Sequence, residues 1–277
     1  MLYPEIFKAL ERVRWSMHDD IRWQHFQPGA LTDEQAQTVR MNAITEWAAL
    51  PAAEMFLRDS CDDTDFSAFM SIWFYEEQKH ALTLIEYLQR FRPDLAPTEA
   101  ELAAVRFPFD PAPPLETLML HYCGEVRLTH WYRHAAKWHS EPVIRQIYEL
   151  LASDEARHAG AYMKYMKRAV SRVGDAARLA FAKIGVLMTN ERTSFALHPT
   201  NLHVNKTLYP LDSVQSRLPD PQWLEHWLDT QIDFGKESER KVCQAILRKL
   251  SGLLGEELGT PRDLRALRKR LSTALPA

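Results

Sequence analysis

The pattern Glu-x-x-His occurs twice in this chain, as Glu77-Gln78-Lys79-His80 and as Glu155-Ala156-Arg157-His158. Each is preceded at almost the same interval by a further glutamate, Glu46 lying 31 residues before Glu77 and Glu125 lying 30 residues before Glu155. A single match is about what chance supplies in a chain with this many Glu and His residues, so the information lies in the repeated spacing. On an α-helix, residues three apart share a face, and each motif therefore presents a carboxylate and an imidazole side by side. An interval near 30 residues lets the two helices of a hairpin each carry its ligand roughly 18 Å from the connecting turn. That depth is inside a bundle, and two such hairpins can bring four carboxylates and two imidazoles together.

The rest of the chain agrees with a helical architecture. Apolar residues recur at helical spacing for most of the length, and alternating β-type runs are almost absent, so the fold class is all-α. Helices are expected over residues 4–25, 32–59, 63–92, 115–139, 141–173 and 176–193, with a proline-rich crossover from Pro108 to Pro114. Pro51 falls inside the second of these and predicts a kink or bulge rather than a stop. An irregular stretch, 195–221, is followed by three short helical segments. The expected organisation is a bundle over residues 1–195 and a C-terminal helical extension over 196–277 packed on it. Only 9 glycines occur and none forms a G-x-G-x-x-G or P-loop pattern, which argues against nucleotide-binding α/β folds.

Four carboxylates buried in an apolar bundle without a cation would be prohibitive, because each ionised group is costly to desolvate and like charges repel. Bound metal is the simplest resolution. A mixed set of oxygen and imidazole ligands suits iron or manganese with positions open to oxygen, whereas a closed zinc site favours four ligands and thiolates. Cys61, Cys123 and Cys243 are widely spaced and contain no C-x-x-C, which excludes a disulfide framework and a built-in rubredoxin; all three are expected as buried small hydrophobes. The net charge of -3 gives no global reason to expect nucleic acid. No apolar run suits a membrane helix or a signal peptide, so a cytoplasmic protein without membrane insertion is expected.

At these residues the chain resembles the soluble acyl-acyl carrier protein desaturases, ferritin-like di-iron enzymes, over roughly residues 40–195. Ile44-Thr45-Glu46 followed by Leu50-Pro51 is similar to the family's first glutamate helix. Tyr75-Glu76-Glu77-Gln78-Lys79-His80 and Ala152-Ser153-Asp154-Glu155-Ala156-Arg157-His158 are similar to its two E-x-x-H segments, and Glu125 falls at the third ligand position. The resemblance implies a ferritin-like four-helix bundle with an N-terminal helix and additional C-terminal helices. It implies Glu46, Glu77, His80, Glu125, Glu155 and His158 as ligands of two iron ions, with manganese an alternative in one position, and Glu77 and Glu155 as bridges. Asp154 and Arg157 match an acid and a base that support the ligands in similar proteins, such an aspartate hydrogen-bonding a ligand histidine. The family's threonine three residues after the third glutamate is replaced by Leu128, with Thr129 adjacent.

Related classes fit less well. The radical tyrosine of ribonucleotide reductase small subunits would fall at Leu84, and the extra ligand histidine of aromatic-amine N-oxygenases at Leu151. The expected function is O₂-dependent desaturation or hydroxylation of an acyl chain, or of another apolar small molecule, presented on acyl carrier protein. Because no internal redox module exists, a ferredoxin or reductase must supply electrons. A homodimer is expected. The contrasting expectation is a ferritin-like iron-handling or ligand-binding protein without substrate oxidation. Trp15, Trp23, Trp47, Trp73, Trp131 and Trp138 lie near the expected core, chiefly as packing, with electron conduction by one of them the alternative. Lys164, Lys167, Arg168, Arg172, Arg178 and Lys183 form a basic concentration that is either a solvated face or a dock for an acidic carrier. His121 shares Glu125's face but is not expected as a ligand.

Overall fold

The structure, a computed structural model, describes residues 1–106, 111–189 and 234–275. Among these residues all regular structure is helical: α1 (Tyr3–Leu10), α2 (Asp33–Trp47), α3 (Ala49–Asp59), α4 (Thr64–Phe91), α5 (Glu99–Ala103), α6 (Pro114–Trp138), α7 (Pro142–Val173), α8 (Asp175–Met188), α9 (Lys236–Leu254) and α10 (Pro261–Ala274). The long helices begin where the sequence supplies caps. Thr32 and Gln35 form a reciprocal capping box at α2. Asp63 accepts from the Phe66 amide at 3.1 Å at the start of α4. Glu141 accepts from the amides of Val143 and Ile144 ahead of α7, whose first residue is Pro142. Gly174, at φ +56°, joins α7 to α8 in a backbone conformation that a side chain would strain.

Helices α2 and α3 run against α4, and α6 pairs with α7 along most of its length. Contacts between α4 and α7 and between α3 and α6 close the two hairpins on each other. The core between them holds the fully buried Leu84, Leu88, Ile144, Ile147, Leu151 and Met166. α8 lies against α6 and α7, α9 packs mainly on α6, and α10 packs on α8. Among the described residues no helix is long and apolar enough to cross a membrane.

The irregularity expected at Pro51 is present. A proline has no N–H to donate to the carbonyl four residues earlier, here Trp47, and the helix is interrupted at Ala48 before resuming as α3. The N-terminal helix is a correction: it ends at Leu10 instead of running to residue 25. Asp20 accepts from the Ser16 amide at 2.7 Å and Asp19 from the Ser16 hydroxyl at 2.9 Å, local bonds that compete with helix formation. Just before this turn Trp15 enters the bundle, where it is 7% exposed. The short helix α5, closed by a capping box between Thr98 and Glu101, was not expected. Part of the Pro108–Pro114 crossover, the 195–221 stretch, one of the three C-terminal segments and the boundary at 195/196 lie outside the described residues.

Candidate metal centre

Glu46 sits in the last turn of α2, Glu77 and His80 in the middle of α4, Glu125 mid-way along α6, and Glu155 and His158 in the middle of α7. All six side chains are buried. The structure brings every one of them together. Their ligating atoms form two overlapping groups, Glu46 with Glu77, His80 and Glu155, and Glu77 with Glu125, Glu155 and His158, and within each group these atoms lie no more than 4.8 Å apart.

The two shared carboxylates are spread between the histidines. Glu77 turns Oε2 toward His80 Nδ1 (4.0 Å) and Oε1 toward His158 Nδ1 (2.9 Å). Glu155 turns Oε1 toward His80 Nδ1 (3.4 Å) and Oε2 toward His158 Nδ1 (3.3 Å). The other two carboxylates serve one side each: Glu46 Oε2 lies 3.6 Å from His80 Nδ1, and Glu125 Oε2 lies 3.5 Å from His158 Nδ1. Glu77 Oε1, Glu125 Oε2, Glu155 Oε1 and His80 Nδ1 are buried with no hydrogen-bond partner among the described residues. Unpaired buried acceptors that converge are costly unless a cation satisfies them, so this donor set fits one or more metal ions.

Away from the cluster, each imidazole is gripped at its other nitrogen by an acid from the opposite motif. Asp154, beside Glu155 on α7, lies 3.1 Å from His80 Nε2. Glu76, beside Glu77 on α4, lies 3.1 Å from His158 Nε2. Arg157 joins the two acids, reaching Asp154 at 2.5 Å and also donating to Glu76. These bonds orient both rings so that Nδ1 faces the carboxylates. Trp15 donates its indole N–H to Asp154 at 2.8 Å, and the Lys79 ammonium lies 4.1 Å over the Trp15 ring. Tyr132 donates to Glu46 Oε1, and Trp73 donates to Glu125 Oε1 at 2.8 Å.

Asp154 and Arg157 thus sit where the resemblance implies, and Trp15 and Trp73, expected near the core chiefly as packing, each donate to an acid here, whereas Glu76 and Tyr132 carry no expectation from the sequence. The only signal for Glu76 was symmetry, an acid standing immediately before the glutamate of each E-x-x-H. Nothing local marks the three aromatic donors.

The cluster is electrostatically tense. Burial, reinforced by the Glu155 charge, pushes the Glu77 carboxyl well above its ordinary range. Burial and then the Glu125 charge raise Glu155 to about 8. At Glu125 burial acts upward, but the close approach of Glu155 and His158 and the hydrogen bond from Trp73 prevail and hold it at about 2. Burial disfavours charge on His80 and His158 too, yet both are raised because acids surround them, Asp154, Glu155 and Glu46 for the former and Glu125, Glu155 and Glu76 for the latter. Dications would provide the same compensation without those protons.

Several nearby expectations resolve differently. The Thr129 hydroxyl donates back to the Glu125 carbonyl at 2.8 Å, so its proton is committed to its own helix. His121 packs on Phe56 with ring centroids 4.2 Å apart and stays outside both ligand groups. Of the basic concentration, Arg168 is tied to Asp63 and Asp65, Arg178 to Asp175 and the Leu254 carbonyl, and Lys183 to Glu116. Lys164, Lys167 and Arg172 remain as an exposed stripe of α7. Cys123 is buried, but Cys61 is exposed at the end of α3, correcting the expectation of three buried thiols. The chain matches no protein-family model and no curated protein.

Proposed function

We propose that this chain is a ferritin-like di-iron protein that uses O₂ to desaturate or hydroxylate an acyl chain, in the manner of the soluble acyl-acyl carrier protein desaturases it resembles. The observation that carries this reading is the overlap of two ligand groups on Glu77 and Glu155, each carboxylate directing one oxygen to each histidine. A pair of irons there would supply the reduction of O₂ and the oxidation of an unactivated C–H bond. The chain's own residues do the rest. Glu46 and His80 would hold one ion, Glu125 and His158 the other, and Glu77 and Glu155 both. Asp154 and Glu76 fix the imidazole rings, and the layer of buried side chains around the cluster excludes water. Trp15, bonded through Asp154 to His80, is the proposed path for electrons from an external ferredoxin or reductase. In this reading the acyl chain arrives on acyl carrier protein, and the exposed Lys164, Lys167 and Arg172 offer it a basic stripe.

One observation favours a second reading, an iron-handling protein that oxidises no organic substrate. A cleft of about 600 Å³ opens at one end of the hairpins, lined by Phe66, Leu115, Leu118, Tyr165 and Arg172 among others. Phe66 lies eleven residues from Glu77 on α4, about 16 Å at the rise of an α-helix. The interval is filled by aromatic packing: Tyr162 sits 5.7 Å from Phe69 and 5.8 Å from Phe56, both edge or face contacts of fully buried rings.

Turnover decides between them. Protein loaded anaerobically with ferrous iron, expected to take two per chain, would be given acyl carrier protein thioesters, O₂ and a ferredoxin system, with products read by mass spectrometry. Loss of two hydrogens or gain of oxygen supports the first reading. Iron uptake and O₂ consumption without product support the second, and failure to bind metal removes both.

A further inference from the structure

We propose that Cys123 and Cys243 form an oxidation site for a small peroxide, the product being a disulfide that fastens α9 to α6. The inference rests on how these two helices meet and stands apart from the metal-centre reading.

Two contacts set the register of the pair. Trp131 on α6 meets Phe234, just ahead of α9, with ring centroids 5.1 Å apart and planes at 89°. One turn back along α6, Arg127 donates through both terminal nitrogens to the carboxylate of Glu239 on α9. Moving back along α6 therefore means moving forward along α9, and the two helices are antiparallel. Four more residues in those directions lead from Arg127 to Cys123 and from Glu239 to Cys243. Residues four apart share a helix face, so the rung after the ion pair is a pair of thiols. Both cysteines, Arg127 and Glu239 line one pocket of about 20 Å³, with Met188, Val242 and Ile246 on its apolar side. Room of that size holds a molecule little larger than water, which suits hydrogen peroxide.

The two thiols differ in access. Cys123 is 1% exposed, whereas Cys243 is half-buried, its thiol 3.6 Å from the Thr189 carbonyl. Cys243 therefore meets the oxidant first. Its sulfur attacks one peroxide oxygen: an S–O bond forms, the O–O bond breaks and the other oxygen leaves as water, giving a sulfenic acid. The Cys123 sulfur then attacks the Cys243 sulfur, an S–S bond forms, the S–O bond breaks and a second water departs. The thiols lose two electrons, the peroxide gains two, and both thiol protons end in water.

The test uses the full chain with Cys61→Ser, which removes the exposed thiol at the end of α3, and hydrogen peroxide as the probe. Peptides of the folded, treated protein are mapped by mass spectrometry before and after a thiol reductant. The expected product is a peptide pair joined through Cys123 and Cys243, two hydrogens lighter than its reduced parts and separated by the reductant. A disulfide needs Cβ atoms about 3.5–4.5 Å apart, so its formation reads the register directly. The oxidised chain should also unfold at a higher urea concentration than the reduced chain, because the cross-link constrains the unfolded state, and Cys243→Ala should abolish that shift. Oxidation that stops at Cys243 as a sulfenic or sulfinic acid, with Cys123 still a thiol, overturns the inference. So does peroxide that leaves both thiols unchanged, or a cross-link that forms only after urea has unfolded the chain. The peptide map needs no variant at either position and can be made on the wild-type chain, so it decides the matter even if a variant fails to fold.

Discussion

Asp154→Asn removes the charge at the centre of the outer frame. The Asp154 carboxylate is 1% exposed and among the described residues faces four donors: the Trp15 indole at 2.8 Å, His80 Nε2 at 3.1 Å, Arg157 at 2.5 Å and the Lys79 ammonium at 3.7 Å. An ionised carboxylate satisfies all of these as an acceptor, whereas an amide must turn an NH₂ toward at least one of them. Hydrogen bonds to charged groups contribute about 1.5–3 kcal/mol each, and stranding a partly buried Arg157 adds to the loss. Metal-free Asp154→Asn should therefore be about 3–5 kcal/mol less stable, the range for breaking a buried ion pair. His80 would lose the bond that orients its ring, weakening metal binding about 10- to 100-fold. Although burial opposes its charge, bonds to His80 and Arg157 hold Asp154 far below its ordinary value of 3.8. Its contribution is thus present above pH 3.8 and is lost as pH falls below it, a loss the variant should not show. Urea unfolding of the metal-free protein and titration with ferrous iron measure both effects. A variant with the wild-type unfolding midpoint and the wild-type iron affinity would refute the reasoning, since a solvent-facing helix charge is worth only about 0.5 kcal/mol.

Three further outcomes are expected. Glu77→Ala or Glu155→Ala should reduce the iron content from two toward one per chain and abolish magnetic coupling, while metal-free stability is retained or raised by relief of carboxylate repulsion; spectroscopy and chemical unfolding report these separately. Glu76→Gln should reproduce at His158 the 10- to 100-fold loss expected for Asp154→Asn at His80, read from the weaker of two binding steps in an iron titration. His139, buried between Trp138 and Tyr148 with neither ring nitrogen hydrogen-bonded among the described residues, is pushed by burial from 6.5 down to about 3. The unfolded chain therefore takes up this proton first, so stability is full above pH 6.5 and declines as pH falls toward 3, by up to about 4 kcal/mol. His139→Leu should flatten that decline in unfolding measurements across the interval, and an unchanged slope would show that another group causes it.

The parts of this molecule set by short-range pattern were readable in the sequence. Helix periodicity placed α4, α6 and α7 within a residue or two, and the E-x-x-H spacing with its preceding glutamates selected all six side chains that cluster. What escaped depends on side chains meeting across the fold. Tyr132 reaches Glu46 across 86 positions and Trp15 reaches Asp154 across 139, separations that leave no local trace. The N-terminal helix was overextended for the opposite reason. Apolar residues at helical spacing continue past Leu10, but beyond the helix end Ser16, Asp19 and Asp20 bond to one another and hold that segment in a turn, an effect of three polar side chains that periodicity does not weigh.

The reciprocal arrangement of the ligands has a consequence for how the chain folds. Each hairpin carries three members of one group, and the fourth comes from the other hairpin: Glu155 completes the set of Glu46, Glu77 and His80, while Glu77 completes that of Glu125, Glu155 and His158. Asp154 and Glu76 repeat the exchange one layer out. Neither half can assemble a full set alone, so tight ion capture must follow docking of the halves. Metal would then bind the native association and not its separated parts, raising the unfolding free energy by RT ln(1 + [L]/Kd) while leaving the rate of hairpin formation untouched. Two fragments cut between α5 and α6 should accordingly associate with an affinity that climbs with free metal concentration, the ions then acting as a clasp between the two hairpins.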